Sequence, residues 1–177
     1  MDNKEYQNQK LLYSYNLYKN HKFFKKARAV VIKDGKLLVI KVTYLEDGKI
    51  HYLLPGGGID DGETVKQAVV RETLEEYNDN VEPIKYLGKQ YYTIFMKKDG
   101  DKFPSHRVEY FYICKYLSTA KDNKFGIEGE FLRTDRVYEK VSLSLEELKQ
   151  LHHKDLNDMD NNNYQKLISY MEELNKK

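Results

Sequence analysis

Four glutamates and one arginine crowd into residues 57–78, GGIDDGETVKQAVVRETLEEYN: Glu63, Arg71, Glu72, Glu75 and Glu76. They follow the run Pro55-Gly56-Gly57-Gly58. The stretch Thr64–Tyr77 contains neither glycine nor proline and is expected to be helical. At about 100° per residue, Glu72, Glu75 and Glu76 then lie within about 100° of one another on one helix face. Carboxylates so placed repel unless a cation sits among them. No Lys or Arg stands three or four positions from Glu72 or Glu76, and only Glu75 has a local partner, Arg71. The reading is an uncompensated oxygen cluster suited to a hard divalent cation such as Mg²⁺.

The same spacing resembles the Nudix box, G-x5-E-x7-R-E-U-x-E-E-x-G-U, where U is bulky and apolar. Gly57, Glu63, Arg71, Glu72, Glu75 and Glu76 match it. Thr73, Asn78 and Asp79 depart from it, and none of these is a carboxylate of the pattern or its arginine. Asn is the usual second choice after Gly for the left-handed residue that ends a helix, so Asn78 is expected to serve there. Asp79 suggests that the chain turns outward one step early, with Val81 packing instead. A solvated, Glu-rich surface helix would account for E-x-x-E-E alone. It would not account for the glycines and Glu63 at fixed offsets upstream.

The rest of the chain must present that helix. At 177 residues, 40% apolar, one mixed domain is expected. The formal charge of +2 gives no strong pull toward nucleic acid or an acidic membrane. The lone cysteine, Cys114, cannot form an internal disulfide, and the polar start MDNKEYQNQK lacks a signal peptide's apolar core, so the cytoplasm is expected. No apolar run is long enough to span a bilayer. Residues 1–22 are read as a short helix or an edge strand. Asp34-Gly35 should join strands 27–33 and 36–43 in a hairpin, and Asp47-Gly48 should lead into strand 50–54. Long strands at 84–98 and 107–117 flank a turn at Asp99-Gly100 and Pro104. A short strand 137–143 precedes a capping box, Ser144 with Glu147, opening helix 145–152. Asn161–Asn163 should start a last amphipathic helix. On the box helix, Val69, Val70, Thr73, Leu74 and Tyr77 are expected to pack on the sheet.

The Nudix resemblance implies an α/β (α+β) fold, a mixed sheet sandwiched between helices. The domain is expected at 26–155, with an N-terminal extension at 1–25 and a C-terminal helix within 156–177. By position, Glu72, Glu75 and Glu76 would hold Mg²⁺ or Mn²⁺, with Glu75 and Glu76 in the catalytic set. Glu63 and Arg71 would form a structural ion pair shaping the loop, and Gly56, Gly57 and Gly58 would meet the substrate's phosphates. The general base in many relatives is a glutamate well after the box, which points here to Glu128 or Glu130, with Glu139 third. The implied reaction is hydrolysis of a diphosphate linkage in a nucleoside diphosphate derivative or nucleotide, by water attack at phosphorus. A non-catalytic nucleotide or ADP-ribose-type sensor on the same fold would be expected to have lost carboxylates. An isopentenyl-diphosphate isomerase would need a positioned cysteine, and Cys114 stands mid-strand. The partner is a small nucleotide-type substrate, with capped RNA as the one nucleic-acid exception, and a homodimer is left open. Of the aromatics, Tyr91, Tyr92 and Phe95 could stack a nucleobase. The basic run Lys19, Lys22, Lys25, Lys26 and Arg28 reads as solvated charge. His106 and His152-His153 read as loop and helix-end residues.

Overall fold

The computed structural model describes residues 3–120 and 134–176. Its elements are α1 (Asn3–Lys19), β1 (Phe24–Lys33), β2 (Lys36–Tyr44), β3 (Ile50–Leu53), α2 (Val65–Tyr77), β4 (Asp79–Lys98), β5 (Asp101–Thr119), β6 (Arg136–Leu143), α3 (Leu145–Gln150) and α4 (Asn161–Leu174). A 3₁₀ turn at His153–Asp155 links the last two helices. The fold is a mixed sheet between helices. The sheet runs β3-β2-β1-β5-β4, with β6 on the other edge of β2. β1 and β5 are parallel, Phe24 beside Arg107 through Ile32 beside Lys115.

Local chemistry sets the turns. Asp34 and Gly35 both have positive φ, 50° and 73°, the backbone that a two-residue hairpin needs. Asp99 and Gly100 repeat it at 51° and 89°. Both long strands exceed the sequence expectation, and Pro104 lies inside β5 opposite Phe95 rather than in the turn. β1 begins opposite Arg107. Before that point β5 has only β4 as a strand partner, so a proline costs no ladder bond. The N-terminal residues form a helix rather than an edge strand, and Tyr15 and Tyr18 of α1 pack on Phe103 of β5.

Period-two alternation divides β1 between two cores. Val30 faces one side with Val39, Phe111 and Ile113, under Leu148, Leu167 and Met171 of α3 and α4. Ala27, Ala29 and Val31 face the other, under Ala68, Val69 and Tyr77 of α2. Three residues depart from expectation. Val70 and Leu74 are 36% and 41% exposed, because the buried stripe of α2 runs instead along Ala68, Val69, Thr73 and Tyr77. Asp79 turns inward and is 1% exposed. It accepts from Lys140 Nζ and from Thr119 Oγ1, the latter at 3.0 Å. A cation on β6 compensates its burial, and Val81 packs as expected.

Candidate active site

Helix α2 starts and stops by its own sequence. Thr64 Oγ1 accepts from Gln67 N at 3.3 Å, and Gln67 Oε1 accepts from Thr64 N at 2.9 Å, a reciprocal cap. Asn78 closes the helix in the left-handed region at φ 56°, ψ 30°, as its place in the motif predicts. Between these caps the side chains toward Gly56–Gly58 are the carboxylates.

The glycine loop lies against β1 as a short extra strand. Ala27 N donates to Gly57 O at 3.0 Å, Ala29 N to Pro55 O at 2.8 Å, and Ile59 N to Lys25 O at 3.1 Å. Two glycines are required by this approach. A Cβ on Gly56, which has φ 142°, would stand 2.0 Å from Ala27 O. A Cβ on Gly57 would stand 2.5 Å from a Glu72 carboxylate oxygen.

Arg71 organises the outer half of the site. Its fork meets Glu63 twice, Nε to Oε1 at 2.9 Å and Nη2 to Oε2 at 2.8 Å. It also donates to Gly58 O at 2.9 Å, Glu72 Oε1 at 2.8 Å and Glu75 Oε2 at 3.2 Å. The expected Glu63–Arg71 pair is therefore formed. The expectation that Glu72 has no cation partner is corrected. A one-turn spacing rule passes over Arg71 beside it, but the length of the arginine side chain brings its fork across. The hydrogen bonds from Arg71 hold Glu63 below the usual carboxylate range, against some burial.

The inner half differs. Glu72 and Glu76 sit at the margin of the packed face of α2. The Glu72 side chain is 12% exposed, against 57% for Glu75. Burial raises Glu72, opposed by Arg71. Burial also raises Glu76, to about 7, against the field of Arg28 and the hydrogen bond from Gly56. Gly56 N donates to Glu76 Oε2 at 2.8 Å.

Beneath the loop is a pair that the sequence reading did not find. Arg28 Nε meets Glu109 Oε1 at 2.6 Å, their side chains 14% and 1% exposed. Arg28 also donates to Leu54 O at 3.3 Å and to Gly56 O. Gln90 Nε2 donates to Glu109 Oε2 at 2.9 Å. Burial works against the Glu109 anion, but Arg28 and Lys26 outweigh it and hold Glu109 below its usual range. Arg28 is thus no solvated member of a basic run. The available signal was alternation: Arg28 stands between Ala27 and Ala29, which face the opposite core.

The other candidates separate. Glu139 pairs with Lys41 at 3.2 Å on the β2–β6 ladder, not with the box. His106 bonds Thr93 Oγ1 at 3.0 Å, and His153 bonds Met159 O at 2.6 Å. Tyr91 and Phe95 share a sheet face, and Tyr92 points to the opposite one with Arg107 and Glu109. Cys114 is buried in the α2 core, its thiol pushed up to about 12 by burial, which is no setting for an isomerase's cysteine. Glu128 and Glu130 lie outside the described residues. A groove of about 470 Å³ is lined by Lys149 of α3, His152 just before the 3₁₀ turn, and Tyr164 and Glu172 of α4, and it contains no box residue. The chemistry gathers at the glycine loop instead.

The donor chemistry there fits a divalent cation. Two inward carboxylates raised by burial would both be favoured as anions by a hard cation beside them. Among the described residues no three acidic or imidazole side chains already converge on one point, since Arg71 draws Glu72 and Glu75 and Gly56 holds Glu76.

The fold is shared with known proteins. The family model described as NUDIX domain matches residues 23–163. No curated protein matches the chain. Among solved structures, a NUDIX hydrolase from Nitrosomonas europaea is similar at TM-score 0.55 and 22% identity, covering 86% of this chain and 90% of that one. A UDP-X diphosphatase is similar at 0.52 and 16%, covering 86% of this chain and 64% of the other. An ADP-ribose pyrophosphatase from Streptococcus suis gives 0.48 and 22%, covering 83% and 90%.

Proposed function

The chain belongs to the Nudix family, whose model spans residues 23–163, and from that premise we propose that it hydrolyses a diphosphate linkage in a nucleoside diphosphate derivative or nucleotide, by water attack at phosphorus, with Mg²⁺ or Mn²⁺. The observation that carries this reading is the inward pair Glu72 and Glu76 held against the glycine loop, Glu76 by the Gly56 N–H at 2.8 Å and Glu72 by Arg71 at 2.8 Å. A diphosphate resists water because its anionic oxygens repel a nucleophile. A cation held by these carboxylates would neutralise that charge and would favour deprotonation of the attacking water.

The chain's own residues have divided roles in this proposal. Glu72, Glu75 and Glu76 supply oxygen ligands. Gly56, Gly57 and Gly58 let the backbone lie against the phosphates without a Cβ between. Glu63 and Arg71 fix the loop, with Arg71 tied to Gly58 O. Glu128 or Glu130 serves as general base from outside the ligand set. Gln at the acting base should lower turnover with metal affinity nearly unchanged, whereas Glu72→Gln should weaken both. If both variants keep wild-type turnover, the base lies elsewhere, with a box glutamate the leading candidate. The compartment proposed is the cytoplasm. No described helix is long and apolar enough to cross a membrane.

The test is a phosphate-release screen over nucleoside diphosphate sugars, dinucleoside polyphosphates, nucleoside triphosphates and capped RNA, with and without excess EDTA. Turnover should appear with Mg²⁺ or Mn²⁺, peak on the alkaline side and vanish with the chelator. Full turnover in EDTA would refute the metal role. Binding without turnover across the screen would favour a sensor.

A further inference from the structure

Helix α2 covers its side of the sheet only as far as Tyr112, over whose ring Lys66 Nζ lies at 5.9 Å. Beyond that point the β4–β5 ladder continues through Tyr91–Val108, Thr93–His106, Phe95–Pro104 and Lys97–Lys102. In-register partners share a face, so these side chains, the buried Val108 excepted, form one surface. Among the described residues no helix covers it. Phe95 is 72% exposed and Tyr91 58%. Phe23, just before β1, meets Tyr91 edge-on at 5.6 Å and His106 at 6.0 Å. Lys89 Nζ lies 5.1 Å from the Tyr91 ring centroid. Lys25 and Lys97 are exposed on the same face. From Tyr86 to Lys97 on β4, and opposite it on β5, this face carries no Asp or Glu.

We propose that this face binds single-stranded nucleic acid, with unpaired bases stacked on Tyr91 and Phe95 and phosphates taken by Lys25, Lys89 and Lys97. Several features select that occupant. Every base has a π-face, so exposed rings on a rigid sheet accept a strand regardless of sequence. Tyr91 and Phe95 are four residues apart on one strand, about 13 Å, which leaves room for successive nucleotides to reach both. The lysines flank the rings, and among the described residues no carboxylate forms an ion pair with Lys25, Lys89 or Lys97, so the surface complements a phosphate backbone. A second copy of this chain fits worse. A two-fold contact would bring two copies of this lysine-bearing face together, and faces of like charge disfavour association. The net charge of +2 conceals this patch, because the two long strands carry no acid on this face.

The experiment is fluorescence anisotropy of the full chain with labelled RNA and DNA strands of about twelve nucleotides, the matching duplexes, and a salt series. Binding to single strands is expected in the micromolar range at about 50 mM salt, and weaker to duplex. Tyr91→Ala/Phe95→Ala should weaken it at least about tenfold. Lys89→Ala/Lys97→Ala should flatten the log–log salt slope by about 0.7 per lysine. All four positions are exposed, and unchanged thermal melting of each variant will establish that the fold is kept. The proposal is overturned by no binding up to about 100 µM, by equal affinity for duplex, or by ring variants that bind like wild type. A concentration-dependent dimer abolished by Phe95→Ala would equally overturn it, in favour of a protein interface.

Discussion

Two arginines grip the same glycine loop from opposite sides, and they do so on different terms. Arg71 faces three glutamates within the box and Asp60 at 3.7 Å, and it ties down Gly58 O. Arg28 faces one glutamate, Glu109, and ties down Leu54 O and Gly56 O from below. The outer cluster has an excess of carboxylates and a 29% exposed arginine. The inner pair is a single salt bridge, nearly dry, with Glu76 and Lys26 within its field. An excess of carboxylates is what a cation-binding site requires, and a buried pair is what a foundation requires. The loop's chemistry and its support are therefore divided between two clusters of like composition.

Breaking the inner pair should have the largest effect. Arg28→Met leaves Glu109 buried without its cation, which should cost about 3–5 kcal/mol of folding stability in chemical denaturation. Arg28→Met/Glu109→Leu removes both charges and should recover much of that loss. If the single variant loses less than about 1 kcal/mol, as an exposed pair would, then the two clusters do not differ in kind. Next in size is Glu76→Gln, which keeps shape and removes one inward charge. Turnover in the metal-supported assay should fall at least about a hundredfold with the melting temperature kept. Glu75→Gln, on the exposed side and tied only to Arg71 among the described residues, should fall by less, about tenfold. Equal losses would mean that burial does not rank the box carboxylates.

The same division explains what could be read from the sequence. The outer cluster is local: Glu63, Arg71, Glu72 and Glu75 lie within thirteen positions, the helix has its caps in place, and Asn78 ends it in the left-handed conformation as its type suggests. The hairpin turns at Asp34-Gly35 and Asp99-Gly100 are equally local. The inner pair joins residues 81 apart, and only the parallel pairing of β1 with β5 brings them together. Asp79 was misread for the same reason, since its partner Lys140 is 61 residues away on β6. Pro104 reads as a turn residue by its type alone, and only its pairing opposite Phe95 makes it a strand residue. The margin of α2 was misjudged because helical period fixes which residues align, not which stripe the sheet selects.

The smallest predicted effect separates the arginine clusters by acid. Glu109 has its folded pKa depressed below its ordinary value, with Arg28 and Lys26 outweighing burial. Unfolding in mild acid must therefore take up a proton at this position. The stability it contributes is fully present above the ordinary carboxylate range near 4.5 and is lost as pH falls through the lower folded value. A single group accounts for at most one proton, so the slope of stability against pH from this residue cannot exceed about 1.4 kcal/mol per pH unit. The check is chemical denaturation between about pH 3 and pH 6 for wild type and Arg28→Met/Glu109→Leu, in chelator so that no cation contributes. Wild type should lose stability toward acid more steeply than the double variant. Parallel curves would move the acid sensitivity to the other carboxylates held low, Glu63, Asp47, Glu147 and Glu172, and would leave Glu63 as the loop's own pH-dependent support.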